Sequence, residues 1–436
     1  MRPNRRVTAL LLVAAAAIGA GAYVFNAHPG KRIDAAGPTA KAESTPAPVS
    51  APQLELPPAH PPLDKIVPPS GANARAGAAP QLKLPPSHPP LAKATPPPGA
   101  DARAGSVQVD SARPYTHYRV GDRSVIVIYS DDKVMWLGTS NGIVRYDTVT
   151  HEFKSYDGRD GLHASGILYV GKLQGKIAVG TYGGGLSLLD QDAQQWSHYN
   201  VADGLGDAFV YDVLDASSGD VWIATGAGVS LVRGGALKDR AKWERYTVEN
   251  TAGGLPHNRV QGLAEGKHGG IWFATRGGLA YLQNGKWSNW THAQGLGAPQ
   301  EGMGRQSASQ GDASSTPPQL NPNHIAALAV GKDGKIWAGT LGAGLARFDG
   351  KAWTNYTVAE GLPSNHVSAL TFDRNGRLWV GTKNGLALLK DGKFQVMTKE
   401  HGLLGENVLS VTTAKDGGMW VGSFGGVAHI RRSALN

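Results

Sequence analysis

Four histidines recur in comparable settings along the chain: His163, His257, His324 and His366. The last two sit in matching Asn-His-apolar triplets, Asn323-His324-Ile325 and Asn365-His366-Val367. Imidazoles that titrate near neutrality suit proton transfer or metal ligation. No His-x-x-x-His spacing and no paired carboxylates accompany them, so the sequence assigns no catalytic residue and no metal ligand. Cysteine is absent, which excludes thiolate nucleophiles, thiolate zinc sites, disulfides and thioether haem attachment. No cofactor is expected. The remaining candidates fall in short variable turns, one or two residues after a recurring Thr or Ser: Asn141, Tyr182, Arg276, Lys383 and Phe424. With His257, His324 and His366 they offer aromatic faces, cations and amides. That set suits a polar or anionic ligand, including an oligosaccharide with acidic groups.

What positions these residues is a repeat. Trp136-Leu137-Gly138-Thr139, Trp222-Ile223-Ala224-Thr225, Trp272-Phe273-Ala274-Thr275, Trp337-Ala338-Gly339-Thr340 and Trp379-Val380-Gly381-Thr382 share one pattern. Ala178-Val179-Gly180-Thr181 and Trp420-Val421-Gly422-Ser423 are degenerate copies, making seven units in all. In each, an alternating run such as Asn365 to Leu370 leads to a tight turn, Asp373-Arg374-Asn375-Gly376. The motif strand follows, then a Gly turn, a third apolar strand (Leu386 to Leu389) and a fourth strand with aromatics three apart. Period-two alternation bounded by Gly, Asn and Asp is the hairpin signature. Four short antiparallel strands per repeat of about 40 residues describe a β-propeller blade. The repeated Trp, Gly and Thr are therefore expected to pack blades together, leaving function to the positions where blades differ.

The fourth-strand pairs are Phe153/Tyr156, Trp196/Tyr199, Trp243/Tyr246, Trp287/Trp290, Trp353/Tyr356 and Phe394/Met397. A seventh, Tyr115/Tyr118, precedes the first motif. The expectation is an all-β, seven-bladed propeller over 113–436, closed by an N-terminal strand in the last blade. In that fold the variable turns share a face with the loops entering each blade, which carry His163, Asp207, His257, Asn258, His324, Asn365, His366 and Asn407. The interval from Trp272 to Trp337 is half as long again as that from Trp337 to Trp379, and the surplus, roughly 293–322, is rich in Gly, Ser, Gln and Pro. A long insertion on this face is either a lid over the channel or neutral.

Gly361-Leu362-Pro363-Ser364-Asn365, Asn375-Gly376, Leu378 to Thr382 and Asn384-Gly385-Leu386 resemble the two-component regulator propeller repeat over about residues 113–436. The resemblance implies a periplasmic sensor-type propeller of the kind found in bacterial hybrid histidine kinases, some of which sense polysaccharide fragments. No kinase, receiver or DNA-binding pattern follows the last repeat up to Asn436. Output is thus expected from another component, an envelope or membrane signalling protein. A structural scaffold of an envelope complex and a channel-face lyase or hydrolase are the alternatives.

Arg2, Arg5 and Arg6 precede an apolar run over 7–25, the layout of an export signal, and Ala20-Gly21-Ala22 offers a cleavage pattern. The run also approaches the roughly 20 residues that span a bilayer, so residues 1–30 are a signal peptide or an inner-membrane anchor. Residues 31–112 form a Pro/Ala-rich disordered linker in which Ala51-Pro52-Gln53-Leu54 recurs as Ala79-Pro80-Gln81-Leu82. The expected location is periplasmic, soluble or anchored. Net charge is +9, but the basic residues are dispersed, which gives no footprint for nucleic acid.

Overall fold

The computed structural model describes residues 104–106, 114–164, 166–299 and 321–435. The signal or anchor segment, nearly all of the linker and most of the 293–322 insertion lie outside the described residues. Among the described residues no helix is long and apolar enough to cross a membrane.

The unit of the fold is a four-stranded antiparallel sheet with strands in sequence order, found over 167–199, 210–246, 260–290, 325–356 and 367–397. In the last of these the strands are Val367–Phe372, Leu378–Thr382, Gly385–Lys390 and Lys393–Met397. The turn chemistry read from the sequence explains the first reversal. The Asp373 carboxylate accepts from the Asn375 and Arg377 amides at 2.9 Å and pairs with Arg377 Nε at 2.6 Å. It also accepts from the Trp379 indole at 3.1 Å, fixing the ring of the motif. The second reversal depends on the motif threonine: buried Thr382 donates through Oγ1 to the Gly385 carbonyl at 2.8 Å and accepts from the Asn384 amide. Thr139, Thr225 and Thr275 make the same pair of bonds.

Successive sheets pack face to face through these motifs. The third motif residue is small because the next sheet's first strand lies directly on it. A Cβ on Gly339 would stand 2.6 Å from Val367 Cγ1, and one on Gly381 would stand 2.7 Å from Val408 Cγ1. The motif tryptophans are buried and stack on the second aromatic of their own fourth strand, as in Trp222–Tyr246 at 5.6 Å and Trp337–Tyr356 at 5.8 Å. That second aromatic then touches the first aromatic of the following sheet, Tyr246 against Trp287 and Tyr356 against Phe394. A 3-10 turn carries the chain between sheets, with a leucine (Leu296, Leu362, Leu403) plugged into the seam behind it.

One further sheet has seven strands. It is held together by the long strand Tyr115–Asp131, whose second half pairs with Val134–Thr139 and whose first half pairs with Met419–Ile430. Tyr115 and Tyr118 lie opposite Ile430 and Val427. Inside the span read as linker, Ala104–Ser106 is a strand added to the outer edge at Glu152–Lys154. Extended chain readily pairs with an open edge, whatever its composition.

One buried carboxylate ties two sheets. Asp212 accepts from the Val213 amide at 2.9 Å and from the Leu263 amide of the next sheet at 2.8 Å, and burial pushes its pKa up to about 8. Leu263 lies on an edge strand, so its amide has few other places to bond. Asp212→Ala is expected to lower unfolding free energy by about 2 kcal/mol, because two buried donors lose their acceptor. Denaturant melts of parent and variant check this.

Candidate functional site

The geometry of the variable turns follows from the backbone. The turn after each motif bonds back to the loop entering its own sheet: Tyr182 N to Gly166 O at 2.8 Å, Arg276 N to Arg259 O at 3.2 Å, Leu341 N to His324 O at 3.1 Å and Lys383 N to His366 O at 3.1 Å. The same turns bond onward to the next sheet's entry loop, as in Gly228 N to Asn258 O at 2.6 Å and Gly342 N to Asn365 O at 3.1 Å. Turns and entry loops therefore share one face.

On that face, His257 and Arg276 (sheet 260–290), His324 (325–356) and His366 with Lys383 (367–397) come together over three consecutive sheets. Tyr182 reaches the group from sheet 167–199, which lies on the far side of sheet 210–246. It is 61% exposed, and its ring meets Phe209 edge-on at 4.6 Å. Asn141 and Phe424 occupy the matching turns of the seven-stranded sheet, both exposed, and no interaction links them to the others among the described residues. His163 lies apart, stacked on His198. No three His, Asp or Glu side chains among the described residues are placed to hold a metal ion.

The histidines of this face lie among the cations Arg259, Arg276 and Lys383. His324 is held down to about pKa 4, first by burial and then by Arg276, Arg259, His366 and His257, and its Nε2 meets the Gln261 side-chain oxygen. Burial, then Arg276 and Arg259, lowers His257, whose Nδ1 accepts from the Arg259 amide at 2.8 Å. Burial, then Lys383, lowers His366. These imidazoles are neutral at pH 7 and set among permanent cations, with His324 Nε2 donating to the Gln261 oxygen.

Three residues here escaped the sequence reading: Tyr211, Arg259 and Gln261. Arg259 stands just before Val260, the position His324 and His366 hold before Ile325 and Val367. Aligning the entry loops by their first buried residue would have found it. Tyr211 and Gln261 left no such signal. Strict alternation reads straight through them, whereas the ladder skips Tyr211 and Gln261 in a bulge at the start of the first strand. The same skip occurs at Leu168, Ala326 and Ser368. A bulge re-aims a side chain out of the regular pleat. Two concavities of about 380 and 470 Å³ open elsewhere, along the seams between neighbouring sheets beside Trp287 and Trp353.

Repeated four-stranded antiparallel sheets with one shared loop face define a β-propeller. Residues 254–277 and 361–384 match the two component regulator propeller model, the repeat that the sequence motifs resemble. The chain superposes on the extracellular domain attributed to a hybrid two component system of B. thetaiotaomicron (TM-score 0.58, 20% identity, 72% of this chain and 40% of that one). A second such domain from the same organism matches at TM-score 0.55 and 18% identity, over 73% of this chain and 39% of that one. The chain thus spans well under half the length of these two. Catalytically inactive virginiamycin B lyase from Staphylococcus aureus, solved with quinupristin, matches at TM-score 0.53 and 11% identity, over 72% and 98%. At these identities the likeness establishes the fold alone. No curated protein sequence matches the chain.

His324 titrates at about 4 folded and near 6.5 unfolded, so the unfolded chain binds the extra proton between those values. Its contribution to stability is complete above pH 6.5 and is lost as pH falls through 4. After allowing for solvent screening at a half-buried site, about 1 to 2 kcal/mol is expected to disappear. Chemical denaturation at pH 7 and pH 4.5 should show that loss in the parent and a smaller one in His324→Gln.

Proposed function

We propose that the chain is an exported sensing module of the bacterial envelope: a seven-bladed propeller that binds a polar ligand or a protein partner on its loop face and passes its state to a membrane signalling protein. The observation that carries this reading is the contrast between a uniform scaffold and an idiosyncratic face. Motif after motif repeats the same Trp, Gly and Thr contacts, while the turns they support carry Tyr182, Arg276 and Lys383. The repeat family and the charged, then apolar, N-terminus support an extracytoplasmic location. Residues 7–25 would deliver or anchor the propeller at the inner membrane.

Closure of the ring by the N-terminal strand rests on three likenesses to the other sheets. Tyr118 stacks on Trp420 at 5.0 Å, as the second fourth-strand aromatic does on its motif Trp elsewhere. Tyr115 and Met397 both pack against the cluster that sheet 367–397 shares with Met419–Ile430. A Cβ on Gly422 would stand 2.8 Å from Val125 O, a closeness shared with the seams at Gly138, Gly180, Gly339 and Gly381. If Tyr115–Arg119 is the last blade's fourth strand, Tyr118→Ala should cost about 3 kcal/mol, the loss typical of a buried aromatic. An unchanged denaturation midpoint would remove closure.

The functional reading is tested by crosslinking in intact cells and purification of the tagged full chain from the membrane fraction. Co-purification of a membrane signalling protein is the expected result. Recovery of envelope assembly proteins alone would replace sensing with a scaffold role.

A further inference from the structure

We infer that Ala104–Ser106 is a strap: it braces the seam inside the seven-stranded sheet, where no loop leucine is buried, and lifting it loosens that seam and no other. The inference uses strand pairings and packing alone, so it stands whether the propeller senses or scaffolds.

The packing of the seams sets this one apart. Six buried apolar clusters lie between neighbouring groups of strands, and each takes in a leucine from a connecting loop: Leu162, Leu205, Leu255, Leu296, Leu362 or Leu403. The seventh cluster joins Tyr118, Trp420 and Val427 to Val125, Met135 and Tyr146, and holds no such leucine. The cause lies in the backbone. Here the chain crosses the seam within the continuous strand Tyr115–Asp131, which has no loop to turn a side chain inward. A buried leucine is a large apolar contribution, and a seam without one lacks that brace.

The strap ties the same two groups of strands from the outside. Ala104, Gly105 and Ser106 pair with Lys154, Phe153 and Glu152, on the outer edge of the group over 125–156. The chain continues through 107–114 to Tyr115–Arg119, which pairs with Gly426–Ile430 of the other group. There the Arg431 amide donates to the Pro114 carbonyl at 2.9 Å, fixing the far end. Phe153, directly opposite Gly105, packs against the seam's own cluster, so the seat of the strap is part of the seam. The exposed pair Asp132 and Lys415 also spans the two groups, an attraction that salt screens.

The strap is built to lift. Three residues on a sheet edge make few hydrogen bonds, each of small net worth, so their pairing opens far more readily than the sheet beneath. Anything that draws on the chain before Ala104 works against this pairing first and against Tyr115–Arg119 only afterwards. The state of the N-terminal segment is thereby coupled to how firmly the seam is shut.

The chain has no cysteine, so one introduced thiol reports on one seam. Ala414 and Ala216 hold equivalent places: each is buried, and their amides bond to Gly418 O and Asp220 O at 2.9 Å. Ala414 lies in the cluster without a loop leucine, and Ala216 in the cluster that holds Leu255. Thiol-labelling rates of Ala414→Cys and Ala216→Cys are measured in the full chain, with NaCl added to screen the Lys415 pair. Each is compared with and without the joint substitutions Ala104→Pro and Gly105→Pro, which remove amide donors of the strap. Those substitutions should speed labelling at Ala414→Cys by about fivefold or more and leave Ala216→Cys unchanged. Leu255→Ala should speed Ala216→Cys, with Leu255→Val in its place if that variant fails to fold. An unchanged rate at Ala414→Cys, or equal acceleration at both positions, overturns the strap. An unchanged rate at Ala216→Cys in the leucine variant removes the premise that a loop leucine braces its seam, and the inference with it.

Discussion

The structure depends on how closely one sheet lies on the next. At the third position of each motif the neighbouring first strand comes so near that Gly381 and Gly339 have no space for a methyl group against Val408 and Val367. Where the residue is Ala, as at Ala224 and Ala274, it is fully buried in the same seam. Contact at this distance captures the full dispersion attraction of β-branched side chains, which falls steeply with a gap of even half an ångström. It also sets the angle between sheets, because a larger residue would pry them apart at the end where the entry loops sit. The motif is thus a spacing device. The Trp beside it fills the wider outer part of the wedge, and the Thr after it turns the chain back.

Fixing the seam by backbone approach and buried aromatics has a consequence for function. None of the stabilising contacts requires a particular side chain in the turn that follows Thr. Thr275 holds its turn through Oγ1 and backbone atoms alone, so Arg276 is free to be Arg. Thr382 does the same for Lys383. A scaffold whose energy is concentrated in the seams can present unlike residues from like frames, and those residues meet because the frames are equivalent.

The sheet unit was legible because its determinants are local and repeated: turns of Gly, Asn and Asp, period-two runs and, in six of the seven units, a Trp four residues before the hairpin. The aromatic pairs were legible for the same reason, down to Tyr115 and Tyr118, which lie opposite Ile430 and Val427. The candidate face was half legible. Turn residues announce themselves by varying after an invariant-looking Thr. Tyr211 and Gln261 do not, since a bulge is a matter of which amide skips its partner, and the skip leaves the alternation of apolar residues intact. Arg259 was obscured differently, by the substitution of Arg for His in an entry loop, Pro256-His257-Asn258-Arg259, that otherwise matches Pro363-Ser364-Asn365-His366 in length and register. The strand at Ala104–Ser106 had no apolar pattern to read, since its pairing is supplied by the open edge it joins.

Those partly hidden residues change the character of the face. From the turns alone it reads as a mixed polar surface. Arg259, stacked on a tyrosine supplied by one bulge and adjoining a histidine bonded to the glutamine of another, makes it a face of fixed positive charge whose imidazoles cannot share the burden. A folded chain bears such a concentration only at some expense, because each added cation raises the work of keeping the next one there. Four other arginines avoid that work by lying beside carboxylates within their own sheets or turns. Arg259, Arg276 and Lys383 on the loop face have no such partner among the described residues, nor do Arg240, Arg245, Arg347 and Arg374 elsewhere, although Asp207 stands near enough to Tyr211 to be felt by it.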